Sequence, residues 1–149
     1  MDLIDYLESL RKIDIEKAAI FAIETNSKEL ADDNREQLNE GIRSDNETVH
    51  WLKDNHYPYV KPYARKRQKA GLQTEIVDLN FNGDFVSSID AKIQGDDILW
   101  DGHTDIAKYQ EMNYSKKIYG VTDENLNQTI ETGIEPAFIA EVGRQSGLL

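Results

Sequence analysis

The chain has 149 residues, of which 28 are acidic and 17 are lysine or arginine, for a formal net charge of −11. A hydrophobic share of 39% with three prolines is a globular balance, and the length predicts one domain, 1–149, with a core of its own. The acidity argues against non-specific binding to a nucleic-acid backbone, and the absence of cysteine removes disulfides, thiolate zinc sites and thiol nucleophiles.

The first segment, MDLIDYLESLRKIDIEKAAIFAIE, has acids where a signal peptide needs basic residues. Charges also interrupt its apolar residues, so it reads as neither a signal peptide nor a membrane span. Residues 2–24 are expected to form one helix. Leu3, Ile4, Leu7 and Leu10 fall at helical spacing, and Ile13, Ala18, Phe21 and Ala22 extend the stripe. The run Ala18–Ile23 is apolar nearly all round and should be buried against the domain or a neighbouring subunit. Asn26-Ser27 breaks the pattern, and 28–70 reads as an irregular or helical region. Within it, residues 28–42 suggest a short helix or an excursion, and RSDNET (43–48) is a polar turn. A helix from Pro62 to Gly71 would place both residues where helices prefer them. Its Arg65, Lys66 and Arg67, with Lys69, are the concentrated positive charge of the chain.

Residues 71–121 read as a β-rich core. In SIDAKI, residues Ile89, Ala91 and Ile93 alternate with Ser88, Asp90 and Lys92, which is the pattern of a half-buried strand. With DILW (97–100) they predict a hairpin over 88–100, its tip near Gln94–Asp96. Thr104 is placed to cap a short helix over 105–113, and Thr122 to cap a C-terminal helix over 122–144. Gly133 and Pro136 should bend or break that last helix, and GRQSGLL (143–149) should fray. The expected fold class is therefore α+β, with N- and C-terminal helices packed on a small antiparallel sheet containing the hairpin.

The segment DLNFNGD (78–84) looks at first like half of an EF-hand loop, with Asp78, Asn80, Asn82 and Gly83 at the first, third, fifth and sixth positions. The twelfth position, which requires a bidentate glutamate, is Ile89, and a strand rather than a helix follows. The segment is thus read as a structural turn formed by Asn82, Gly83, Asp84 and Phe85. Leu79 and either Phe81 or Phe85 would pack inward. The histidines His50, His56 and His103 lack metal-ligand spacing, and no nucleophile or phosphate-loop motif occurs. No catalytic residue, cofactor or metal is expected. Tyr57, Tyr59 and Tyr63 beside the basic run could stack bases, although the surrounding charge is strongly negative.

One ordered set of motifs goes further. A basic helix leads to Leu79, then to the turn Asn82-Gly83-Asp84-Phe85 and to Ser88-Ile89 at the start of a strand. A short helix with Asp105-Ile106-Ala107-Lys108-Tyr109 follows, then Tyr119-Gly120-Val121-Thr122-Asp123-Glu124-Asn125-Leu126. Over about residues 62–135 this order resembles phage neck and tail-completion proteins of the virion-morphogenesis type, and more closely small structural proteins of phages infecting gut Bacteroidetes. Asn82 stands where that family has threonine, and MNYSKK (112–117) replaces its glycine after the short helix. The resemblance implies a structural virion protein of the head–tail connector, working by protein–protein assembly without catalysis. It implies a homo-oligomeric ring and portal, connector or tail proteins as partners, with contact to passing DNA and no membrane. The location implied is the virion neck, and the host cytoplasm during assembly. Arg65, Lys66, Arg67, Trp100, Tyr109 and Tyr119 are the candidate interface residues. The competing reading is a small soluble module binding calcium or nucleic acid.

Overall fold

A computed structural model describes residues 1–53 and 56–148. The expected single helix over 2–24 is two helices, α1 (Leu3–Arg11) and α2 (Ile15–Thr25). The break arises at Asp14, whose carboxylate accepts from the Lys17 amide at 3.0 Å while its own amide donates to Gln145 Oε1 at 2.6 Å. A competent N-cap in mid-stripe starts a new helix there. The region after Asn26 is better ordered than its thin apolar pattern suggests: α3 (Ser27–Asn39) is a full helix that buries Leu30, Ala31, Asn34, Gln37 and Leu38. The polar turn closes with a bridge between Ile42 and Thr48. Helix α4 (Lys61–Lys69) starts with Pro62 in its first turn and stops before Gly71, which has φ of +75°.

The DLNFNGD segment ends in Gly83 (φ +86°), and a short α5 (Asp84–Ser87) precedes the hairpin. Strands β1 (Asp90–Gln94) and β2 (Asp97–Asp101) pair antiparallel, with Ala91 opposite Trp100 and Ile93 opposite Ile98. Gln94 pairs with Asp97 across a two-residue loop that begins at Gly95 (φ +62°), where a tight hairpin favours a residue without Cβ. Residues 71–121 are otherwise helix and loop, and β1 and β2 are the strands among the described residues, so the expected β-rich core reduces to the hairpin. Helix α6 (Asp105–Tyr114) is capped by Thr104, and α7 (Asp123–Thr129) by Thr122.

The chain then passes through a five-residue π-turn, Ile130–Ile134, into α8 (Glu135–Ser146). Pro136 lies in the first turn of α8, where its missing N–H costs little. Gly133 lies inside the π-turn, against Asn26 at the α2–α3 junction; a Cβ there would collide with Asn26 Oδ1. The expected fraying from Gly143 is not found. Glu141, Gly143 and Ser146 are buried, and Gly147 closes the helix in the left-handed region.

The result is a small α+β fold whose terminal helices pack on a two-stranded antiparallel sheet. One apolar cluster, Leu30, Ala31 and Ala91 with Ile23, Ile98, Trp100, Leu126 and Ile134, joins α2, α3 and the helical C-terminal region to one face of the hairpin. A larger one, including Leu38, Val49, Val77, Leu79, Phe85, Ile89, Ala107 and Ile118, lies under the loops and α6. Two amides from α3 tie these layers together. Asn34 donates to the Ile118 carbonyl (2.9 Å) and accepts from the Gly120 amide (3.1 Å). Gln37 accepts from the Thr122 amide (2.9 Å) and from Asn125 Nδ2 (3.0 Å).

Candidate functional site

Among the six residues expected at an interface, Arg67 is inside the protein, at 1% exposure. Its Nε donates to the Gln73 carbonyl (2.9 Å), Nη1 to the Asn80 carbonyl (3.3 Å) and Nη2 to both oxygens of Asp78 (3.1 and 3.2 Å). The guanidinium also lies 4.7 Å from the centre of the Tyr59 ring. The Asp78 carboxylate takes further bonds from Gln73 Nε2 (2.8 Å) and the Asn80 amide (2.9 Å). The first oxygen ligand of the calcium-like pattern is thus committed to a buried ion pair, and of the four residues expected in the turn, Asp84 and Phe85 lie in α5. The second half of the segment is built by Asn82, whose Oδ1 accepts from the Asp84 amide (3.1 Å) ahead of Gly83 and α5. Leu79 and Phe85 point inward, while Phe81 is 38% exposed and lies under Lys66 Nζ, 5.0 Å from the ring centre.

Trp100 and Tyr119 are half-buried. The Trp100 indole N–H donates to the Leu30 carbonyl (2.9 Å), which fastens the hairpin to α3. The Tyr119 hydroxyl donates to Glu111 Oε1 (2.9 Å). Burial, and then Glu111, push that phenol above its usual range. Both rings line a cleft of about 770 Å³ beside β2 and α6, together with Asp101, His103, Lys108 and Lys116. Its charges are mixed, and His103 is paired outward with Asp90 (2.6 Å). Among the described residues no group of three or more histidine or acidic side chains is placed to hold a metal ion, and no helix is long and apolar enough to cross a membrane.

Tyr109, 60% exposed, belongs to a second cleft of about 280 Å³. Trp51, Tyr59, Tyr63 and Tyr114 complete its aromatic lining, with Pro58 beside them. The loop bearing Trp51 is held to α6 by Asn113, which accepts from the Trp51 indole (3.0 Å) and gives its carbonyl to the Leu52 amide (2.8 Å). Tyr59 and Tyr63 meet edge to face at 5.3 Å. Burial, with Tyr63 and Tyr109 close by, pushes the Tyr114 phenol up to about 12. Gln110 also lines this cleft, and its Oε1 is the one buried side-chain nitrogen or oxygen without a hydrogen-bond partner among the described residues. Arg65 and Lys66 are exposed on the adjoining helix α4. Sequence reading singled out Tyr59 and Tyr63 beside the basic run, and Tyr109 apart from them. Nothing local joins them to Gln110 and Tyr114, because only the tertiary fold brings α6 beside Trp51 and residues 58–63.

The third surface is α1. It buries no side chain: Leu3 is 70% exposed, Ile4 67%, Leu7 44% and Leu10 39%. It rests on α8, and Ile15 and Phe21 on α2 and Ile139 on α8 are exposed apolar residues as well. Of the run Ala18–Ile23, expected to be buried against the domain or a neighbouring subunit, Ala18 and Ala22 are fully buried and Ile23 packs on the core, while Ile20 and Phe21 are exposed.

Comparison with protein-family models, with curated proteins and with solved structures finds no match to this chain.

Proposed function

We propose that this chain is a structural protein of a phage virion, a component of the head–tail connector of the neck or tail-completion type, acting by protein–protein assembly without catalysis. The observation that carries the assembly reading is α1, a nine-residue amphipathic helix that rests on α8 yet leaves Leu3, Ile4, Leu7 and Leu10 exposed. Exposed apolar surface of that extent, rimmed by charge, is the mark of an interaction site. The virion setting is supported by the ordered motifs from the basic helix to Leu126. Its partners in this reading are further copies of the chain in a ring and the neighbouring portal, connector or tail proteins. Arg65, Lys66 and Tyr109 are the exposed members of the candidate interface, and Trp100 and Tyr119 are half-buried.

Mass spectrometry of purified particles tests this reading. The chain is expected in virions at a copy number suited to one ring. Abundance in infected cells with absence from particles would overturn it.

A further inference from the structure

Two exposed features of this molecule have complementary chemistry, and we propose that α1 of one copy docks on the aromatic cleft and basic helix α4 of a second copy. That contact deepens the assembly reading and rests on it in taking the partner to be the same chain.

The occupant is specified by charge and by shape. On α1 the residues Leu3, Leu7 and Leu10 share a face with Tyr6, while Asp2, Asp5 and Glu8 supply the polar side, with no cation before Arg11. An amphipathic helix made for an anionic lipid surface carries cations there instead. The cleft offers the opposite set. Residues 56–74 contain no acid, and Lys61, Arg65, Lys66 and Lys69 are all exposed once Arg67 has turned inward to Asp78. The cleft is lined by Tyr63 from α4 itself, by Trp51, and by Tyr109 and Tyr114 from α6. A cleft of about 280 Å³ accepts a few apolar side chains from a helix laid across it, the helix-in-groove mode of recognition.

The two surfaces differ, so the contact is heterologous: each copy offers α1 to one neighbour and its cleft to the other. Repetition closes into a ring or runs on as a filament, depending on the rotation between copies.

The absence of cysteine allows a clean test. Chains carrying Leu7→Cys, Tyr109→Cys or, as a control at the exposed hairpin tip, Gln94→Cys each contain one thiol. Circular dichroism first establishes that each is folded. Mixing the Leu7→Cys and Tyr109→Cys chains under mild oxidation is expected to give the mixed disulfide dimer in several-fold excess over either self-linked dimer and over the Leu7→Cys/Gln94→Cys product. Lys66→Glu in the Tyr109→Cys chain should cut that yield several-fold, and Glu8→Lys in the Leu7→Cys chain should restore it. Self-linkage of Leu7→Cys as the main product, equal linkage to the hairpin tip, or a yield unmoved by Lys66→Glu would each overturn the contact. The outcome is separable from the virion test. A chain present in particles but unlinked loses this contact and keeps the assembly role. A linked chain absent from particles keeps the contact and loses the virion assignment.

Discussion

The Arg67 guanidinium gives its nitrogens to Asp78, to two carbonyls and to the face of Tyr59, all inside the protein. Removing one partner of such a pair leaves an uncompensated buried charge, which costs about 3–5 kcal/mol. Arg67→Ala is therefore expected to lower the urea midpoint strongly, whereas Arg65→Ala, on the exposed side of the same helix, should stay within about 0.5 kcal/mol of the parent. Gly83 acts through the backbone alone: nothing lies within 4 Å of where its Cβ would be, but its φ is +86°. A β-branched residue in that region costs about 1–2 kcal/mol, so Gly83→Val should fold with reduced stability and Gly83→Asn should lose less. Arg43 beside Asp45, at 2.6 Å, holds that carboxyl down at about 2 against an ordinary 3.8. A depressed carboxylate stabilises the fold fully above its unfolded value and loses that contribution as the pH falls through the folded one. The urea midpoint should thus drop between pH 3.8 and about 2, and Asp45→Asn should flatten that part of the profile.

Helix α3 organises the layers through side chains that a hydrophobic-pattern reading counts as noise. Asn34 and Gln37 are buried because they supply hydrogen-bond partners to the backbone of Ile118, Gly120 and Thr122, in the stretch between a 3-10 turn ending at Ile118 and the start of α7. Asn34→Leu leaves the Gly120 amide and the Ile118 carbonyl without those bonds, at about 1–3 kcal/mol each before relaxation. Chemical denaturation should show that loss with an unchanged far-ultraviolet spectrum. The same residues explain why α3 was hard to see in the sequence: its buried face is half polar, so the apolar stripe thins although the helix is complete. The hairpin and the helices starting after Thr104 and Thr122 were legible, since a strict alternation with glycine at the tip and a capping threonine act within a few residues. The split of the first helix at Asp14 was missed because the apolar stripe continues through a cap whose second partner, Gln145, lies at the other end of the chain.

At the scale of the molecule, stability should be uneven. Helix α1 has no buried side chain, while α3 contributes to both apolar clusters. Local opening follows buried contact density. Hydrogen exchange of the isolated protein is therefore expected to be fast over residues 3–11 and slowest over α3, with α1 gaining protection when copies associate. Equal protection of α1 and α3 in the dilute protein would contradict this picture.

By itself the sequence determined the α+β class, the hairpin with its glycine tip, the helix bounded by Pro62 and Gly71, and the turn at Asn82-Gly83, because each depends on backbone preferences and side chains a few residues apart. Which charged or apolar groups face water was decided only by the tertiary structure. Arg67 left the basic patch for Asp78, the apolar stripe of α1 stayed outside, and Tyr109 joined Trp51 and Tyr63 around Gln110. Burial depends on which elements meet, and those meetings bring together residues tens of positions apart that carry no common local signal.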